Sequence, residues 1–231
     1  MTKNDTLIPK TREKKKRATE LIESSKLTYS FYLMLILSSV IVSLGLLLDN
    51  VPVIIGGMLI APLLSPLLTL ALGVVVVDKK VMWWSIKIIV KSIGIILIVS
   101  LIMTIIAPEK VITEEISSKS FVNLTFFYVA IASGVAAAFA WARKELSVIL
   151  PGIAIAVTLL PPFATISIGI GMLNPAIIIG ALQSAVANLI GIIVSAVLVF
   201  SLLGFYKVKK VAEKKIEEEV EIEKNHKNGH F

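Results

Sequence analysis

The sequence predicts an all-α integral membrane protein: six transmembrane helices arranged as an inverted repeat of three and three, with helices two and five broken by proline. Three observations carry this. Of 231 residues, 56% are apolar and mean hydropathy is +0.90, where a soluble domain is roughly 45–50% apolar. Apart from Lys87 and Lys91, the 23 basic and 16 acidic residues fall in the ends and short loops, leaving uncharged stretches of twenty or more residues. The chain also matches itself when shifted by 95 residues. A water-soluble globule is excluded, and the absence of cysteine excludes a disulfide scaffold, a thiol enzyme and a cysteine-ligated metal site.

In chain order, residues 1–27 form a basic N-terminal segment without the pattern of a cleavable signal. Six apolar runs follow: Thr28 to Leu48, Val51 to Val77, Val81 to Ala107, Phe121 to Ala142, Ser147 to Met172 and Pro175 to Phe205. Each supplies the ~20 helical residues that cross a hydrocarbon core, and none alternates as a barrel strand would. Residues 28–107 make the first repeat, 108–120 an extracytoplasmic loop, 121–205 the second repeat and 206–231 a charged tail.

Lys and Arg mark the cytoplasmic side. Nineteen of them fall in the N-terminal segment, the tail and the pairs Lys79-Lys80 and Arg143-Lys144, against Lys110 and Lys119 on the opposite side. Both termini are therefore expected in the cytoplasm of a protein that spans the cell membrane. The net charge of +7 then points to the lipid bilayer as partner, at about 1 kcal/mol per basic residue near anionic headgroups, and not to nucleic acid. The tail reads as a solvated, fraying helix, because Val208, Val211, Ile216 and Val220 make no heptad seam. His226 and His230, four apart, have a spacing that suits a metal. A chain end gives them no rigid frame, and no metal or cofactor is expected.

The 95-residue shift lays Gly57 on Gly152, Pro66 on Pro161 and the pair Asp49-Asn50 on Lys144-Glu145. Three spans per repeat is an odd number, so the second copy enters from the opposite side, as in many secondary transporters. Both copies carry prolines at mid-span, Pro62 and Pro66 in one, Pro161 and Pro162 in the other. Proline has no N–H, so Pro62 would leave the Met58 carbonyl unpaired, and Pro161 and Pro162 those of Val157 and Thr158. In lipid, broken helices survive only where protein or trapped water pairs the freed groups, which puts spans two and five inside the bundle. Simple kinks in a structural bundle are the competing reading of the same prolines.

The stretch Ile55-Gly56-Gly57-Met58-Leu59-Ile60-Ala61-Pro62-Leu63-Leu64-Ser65-Pro66, with Gly152-Ile153-Ala154-Ile155-Ala156 and then Pro161-Pro162, resembles a family of prokaryotic membrane proteins known as domain of unknown function 389. The resemblance runs from about Lys26 to Tyr206. It implies an integral membrane protein and transfers no activity, since the family has no established substrate.

Carboxylate-coupled proton transport is disfavoured, because Asp49, Asp78 and Glu145 lie at span edges. Ser65, Thr69, Thr158 and Thr165 surround the breaks, where hydroxyls and freed carbonyls could coordinate sodium. Half-helix N-termini after Pro66 and Pro162 would suit an anion. Lys87 and Lys91 lie one and two turns below the interface that Trp83 and Trp84 mark. Lys91 either snorkels or faces the bundle as an anion contact near Gln183, Ser184 and Asn188; its repeat partner at this shift is Val186. The pathway residues are thus Gly57, Ala61, Pro62, Ser65, Pro66, Thr69, Lys91, Gly152, Thr158, Pro161, Pro162, Thr165 and Asn188. They describe a transporter or channel-like permease for a small solute, with an anion among the candidates, and the small size suggests a homo-oligomer. No enzyme signature is present. The second reading is a non-transporting scaffold or partner subunit that docks cytosolic proteins or anionic lipids through its charged termini.

Overall fold

The computed structural model describes residues 9–107, 111–121, 124–143, 146 and 151–227, with 151–158 and 223–227 described by their backbone alone. Among these residues every regular element is a helix. In chain order they are α1 (Thr11–Ser24), α2 (Tyr29–Leu47), α3 (Val51–Leu59), α4 (Leu64–Val75), α5 (Lys79–Ile106), α6 (Glu114–Lys119), α7 (Leu124–Ala142), α8 (Pro151–Gly171) and α9 (Pro175–Leu202). A 3-10 turn, Phe205–Val208, leads into α10 (Lys209–Lys227).

Among the described residues, α2, α5, α7 and α9 are each long and apolar enough to cross a membrane, and α3 with α4 makes a fifth such unit, bent by 58°. The polarity of the bundle is inverted relative to a soluble protein. Leu37 of α2, Val90 and Ile98 of α5, and Val194 and Leu198 of α9 face outward, while Ser39, Ser43, Ser85, Ser100 and Thr104 are fully buried. A hydrocarbon surround selects this arrangement, because polar groups must pair inside the protein. The Ser43 and Ser100 hydroxyls lie 2.8 Å apart across α2 and α5, while Ser38 donates to the Gly57 carbonyl at 2.7 Å and Ser167 to the Leu97 carbonyl at 2.8 Å.

Three turns between helices are built alike. Asn50, Asp78 and Asn174 each donate a backbone N–H to the carbonyl five residues back, on Gly45, Gly73 and Gly169, at 2.9, 3.1 and 2.9 Å. The residue before each, Asp49, Val77 or Leu173, is left-handed with φ of 53°, 51° and 53°. That is a Schellman end made without glycine at the left-handed position, a strain of roughly 1–2 kcal/mol each. The same Asn or Asp then caps the next helix: the Asn50 side chain accepts from Val53, that of Asp78 from Lys80 and Val81, and that of Asn174 from Ala176 and Ile177. One residue ends one helix and starts the next. Glycine stands about one turn earlier for space: a Cβ on Gly45 would lie 2.9 Å from the Ile54 backbone N, and one on Gly73 3.0 Å from that of Met82.

The two ends of the bundle are capped differently. At one end α1 lies on α4, and α10 lies on α1 through the 3-10 turn and the buried stripe Val208, Ala212 and Ile216. Ion pairs tie the pieces together: Lys215 with Glu23 at 2.8 Å, Lys26 with Glu219 at 2.8 Å and Lys80 with Glu217. The tail is thus a docked helix and not a solvated one, because Ala212 completes an every-fourth-residue stripe with Val208 and Ile216. At the other end α6 covers the α2–α3 turn, where Thr113 donates to the Leu46 carbonyl at 2.7 Å and the Glu115 N–H to Asp49 at 2.9 Å.

Corresponding helices have corresponding limits. Shifting α2 by 95 residues gives the limits of α7, and shifting α5 by 96 gives those of α9. At that shift the nine buried residues of α5, from Val81 to Thr104, fall on nine buried residues of α9, from Ile177 to Phe200. The partner of Lys91 is therefore Ala187, one place beyond the expected Val186.

Two expectations about proline are corrected. The backbone of α8 is helical through Pro161 and Pro162. Every residue from Leu159 to Gly169 is buried, so packing on all sides holds the helix despite two missing N–H groups. In the first half, the Met58 carbonyl is not left open, because Ala61 donates to it at 3.2 Å and closes α3 with a tight last turn. Pro66 sits in the first turn of α4, where its absent N–H would have had no helical partner.

Two outcomes are expected. Gly45→Ala should lower stability by about 1–3 kcal/mol, an overpacking cost, whereas Gly94→Ala, with nothing within 4 Å of its Cβ position, should be neutral or gain about 0.5–1 kcal/mol; thermal unfolding in detergent compares them. The hydrogen bond from Lys215 holds the Glu23 carboxyl below its ordinary 4.5, and Glu23 chiefly pushes Lys215 up to about 12. The Glu23 contribution is present above 4.5 and is lost as pH falls through the depressed value; that of Lys215 is lost only as pH rises through about 12. Spin labels on α1 and α10 should hold one narrow distance at neutral pH and broaden well below pH 4.5.

Candidate functional site

A cavity of about 130 Å³ lies under α6. Val51, Ile54, Ile55 and Met58 of α3 form one wall, Phe126 of α7 and Pro162 of α8 another, and Ser184 and Asn188 of α9 the polar part; Glu115 and Lys119 of α6 lie at its outer end. Each helix arrives there for a local reason. The Asn50 corner aims α3 inward, and at 1.5 Å per residue its nine residues reach about 14 Å, near the middle of a hydrocarbon core. Asn188 is the fourteenth of the 28 residues of α9, so it too sits at mid-length.

The chamber is apolar with few polar groups, the usual composition of a small-molecule site. Asn188 is 4% exposed and Ser184 5% exposed. At the outer end Lys119 lies 3.5 Å from Glu115 and 4.9 Å over the Phe126 ring. The two opposite charges stand together at the outer end, and the Asn188 amide and Ser184 hydroxyl lie deeper inside.

Of the residues singled out in the sequence, Pro162 and Asn188 line this cavity. Gly57 packs α3 against α2, where a Cβ would lie 2.7 Å from Val42 Cγ2. Ala61, Pro62 and Ser65 are half-buried around the α3–α4 break, Pro66 is buried, and none of the four lines the cavity. Thr69 is engaged elsewhere, 2.8 Å from the Ser25 hydroxyl and within reach of the Leu21 carbonyl at 3.4 Å, fastening α1 to α4. Thr165, which corresponds to Thr69 at the 96-residue shift, is fully buried with no hydrogen-bond partner. Pro161 is buried in α8; the surroundings of Gly152 and the side chains of Thr158 and His226 lie outside the described residues, as does His230 as a whole. Lys91 is exposed on the outer face of α5, and Lys87 extends over the Trp83 ring at 5.8 Å. Of the two readings of Lys91, the structure takes the outward one: α5 buries its Ile88–Ser92 face and turns Lys91 away from the bundle.

Sequence reasoning missed Met58, Phe126, Glu115 and Lys119. The last two stood in a loop with no stated role, although Glu115 and Lys119 are four apart and the Thr113 cap before them is a helix-start signal.

Fold and site together are those of a membrane-embedded helical bundle with a solute-sized chamber near mid-depth. The chain belongs to the family described as domain of unknown function (DUF389), which matches residues 58–194. It is 33% identical over 172 residues to the uncharacterized protein MJ0678 of Methanocaldococcus jannaschii, covering 74% of this chain and 53% of that protein. The chain thus spans about half the length of this relative. No solved structure matches.

Proposed function

We propose that this protein is a membrane permease for a small polar solute, uncharged or zwitterionic. In this reading it has six spans in an inverted three-plus-three repeat, with α3–α4 as one broken span and α8 as its unbroken counterpart. The observation that carries the reading is the cavity beneath α6, in which the Asn188 amide and the Ser184 hydroxyl lie at mid-depth among apolar side chains. The matching limits of α2 with α7 and α5 with α9 support the repeat, as do the 19- and 28-residue lengths they share. An odd number of spans in each half reverses the second copy. That fits tails packed at one end and α6 at the other.

An anion is less favoured, because Lys91 faces outward and Lys119 is paired with Glu115. No chemical step is part of the reading. Both termini in the cytoplasm, as the Lys and Arg bias indicates, and assembly of several copies in the cell membrane belong to the same proposal. The scaffold alternative draws less support. Glu23, Lys26, Lys80, Lys215, Glu217 and Glu219 bind one another and so hold the termini closed.

Flux into reconstituted liposomes tests this directly. Stopped-flow light scattering with glycerol, urea and glycine should show at least one solute entering faster than into protein-free vesicles. Asn188→Leu should lower that rate about tenfold, the worth of one hydrogen bond at 1.4 kcal/mol, while Gly94→Ala leaves it unchanged. Rates equal to those of protein-free vesicles across the panel would reject the reading.

A further inference from the structure

The residues that line the cavity on α8 and α9 have counterparts in the other half of the chain. At the 96-residue shift Asn188 corresponds to Ser92, Ser184 to Ile88 and Pro162 to Pro66. All three counterparts are buried, and Ser92 is fully so. Its hydroxyl has no partner. This is unusual in the bundle, where Ser39, Ser43, Ser85 and Ser195 each donate to the carbonyl four residues back. An unpaired buried hydroxyl costs about 1–3 kcal/mol, which some other state must relieve for the residue to be anything but a defect. Ser92 is the fourteenth of 28 residues in α5, as Asn188 is in α9, so both lie at the same mid-depth.

The two halves differ where such a state would need them to. α3–α4 is bent by 58°, while α8, whose Pro162 lines the cavity, runs unbroken through Pro161 and Pro162. A helix carrying two interior prolines has already lost the hydrogen bonds that resist bending. On the tail side, α1 lies against α4 and is fastened by the 2.8 Å contact between Ser25 and Thr69. In the other half Thr165 occupies the place of Thr69 without a hydrogen-bond partner.

Resting on the permease reading above, we infer that Ser92 is the polar floor of a second access cavity. It opens toward the α1 face when α8 bends at its prolines, and it closes when α1 is fastened to α4. The solute then passes from Asn188 to Ser92 as the two halves exchange their bent and straight forms. The same small polar solute is held first by an amide and then by a hydroxyl.

The chain has no cysteine, so single cysteines report without background. Ser92→Cys and Asn188→Cys, in full-length protein reconstituted in liposomes, are treated with a membrane-impermeant methanethiosulfonate reagent from each side. The expected result is labelling of the Asn188→Cys variant from the α6 side and of the Ser92→Cys variant from the tail side. A disulfide between Ser25→Cys and Thr69→Cys should slow labelling at position 92 at least tenfold, with recovery on reduction and no change at position 188. Ile88→Cys, on the same buried face, repeats the test should Ser92→Cys fold poorly. Labelling at 188 with none at 92 or 88 from the tail side would overturn the second cavity and leave the permease reading standing. Silence at 188 as well would overturn both.

Discussion

No backbone N–H or carbonyl can be left unpaired in hydrocarbon, and the architecture follows from meeting that constraint at the places where a helix must stop. At three corners a single Asn or Asp both donates its N–H to a carbonyl at the end of one helix and caps the start of the next with its side chain, so that the chain reverses with few unpaired backbone groups. The cost is a left-handed residue at Asp49, Val77 and Leu173, and the return is that successive helices can pack from their first turn. The same constraint explains the interior serines, which pair with carbonyls of neighbouring helices because lipid offers them nothing.

Against that background the α3–α4 break is the exception that makes room. A closed corner packs two helices tightly, whereas the residues Ile60–Leu63 turn the chain by a bend and leave α4 starting at Leu63 without a side-chain cap. α3 is then short enough for α6 to sit above it and for the chamber to form between α3, α8 and α9. The unpaired hydroxyls of Ser92 and Thr165 sit at positions whose counterparts, Asn188 and Thr69, have a chamber and an anchored helix beside them.

Much of this was legible in the residues, but unevenly. The apolar helices followed from charge-free length, because that signal is local. The corner pattern of glycine followed five residues later by Asn or Asp, at 45–50, 73–78 and 169–174, was equally plain in the sequence and would have fixed the one-residue slip in register. What proline does was not legible. Pro62 and Pro161–Pro162 remove the same kind of hydrogen bond, yet one accompanies a break and the other sits in a continuous helix. The difference lies in packing: Ala61 and Pro62 are half-buried, whereas Leu159 to Gly169 is enclosed. Nor does a 3.6-residue period say which neighbour a face meets, which is why Lys91 could be read two ways until the buried side of α5 was seen.

The central claim is that α6 and the charged termini lie on opposite sides of the membrane, since that is what an odd number of spans in each half requires. Single cysteines in place of Val111, just before α6, and of Lys210, at the start of α10, are both at exposed positions. Treated in intact cells with an impermeant thiol reagent, the variant at 111 should label at once and that at 210 only after the membrane is opened. Labelling of both before permeabilisation, or of neither, would contradict the account.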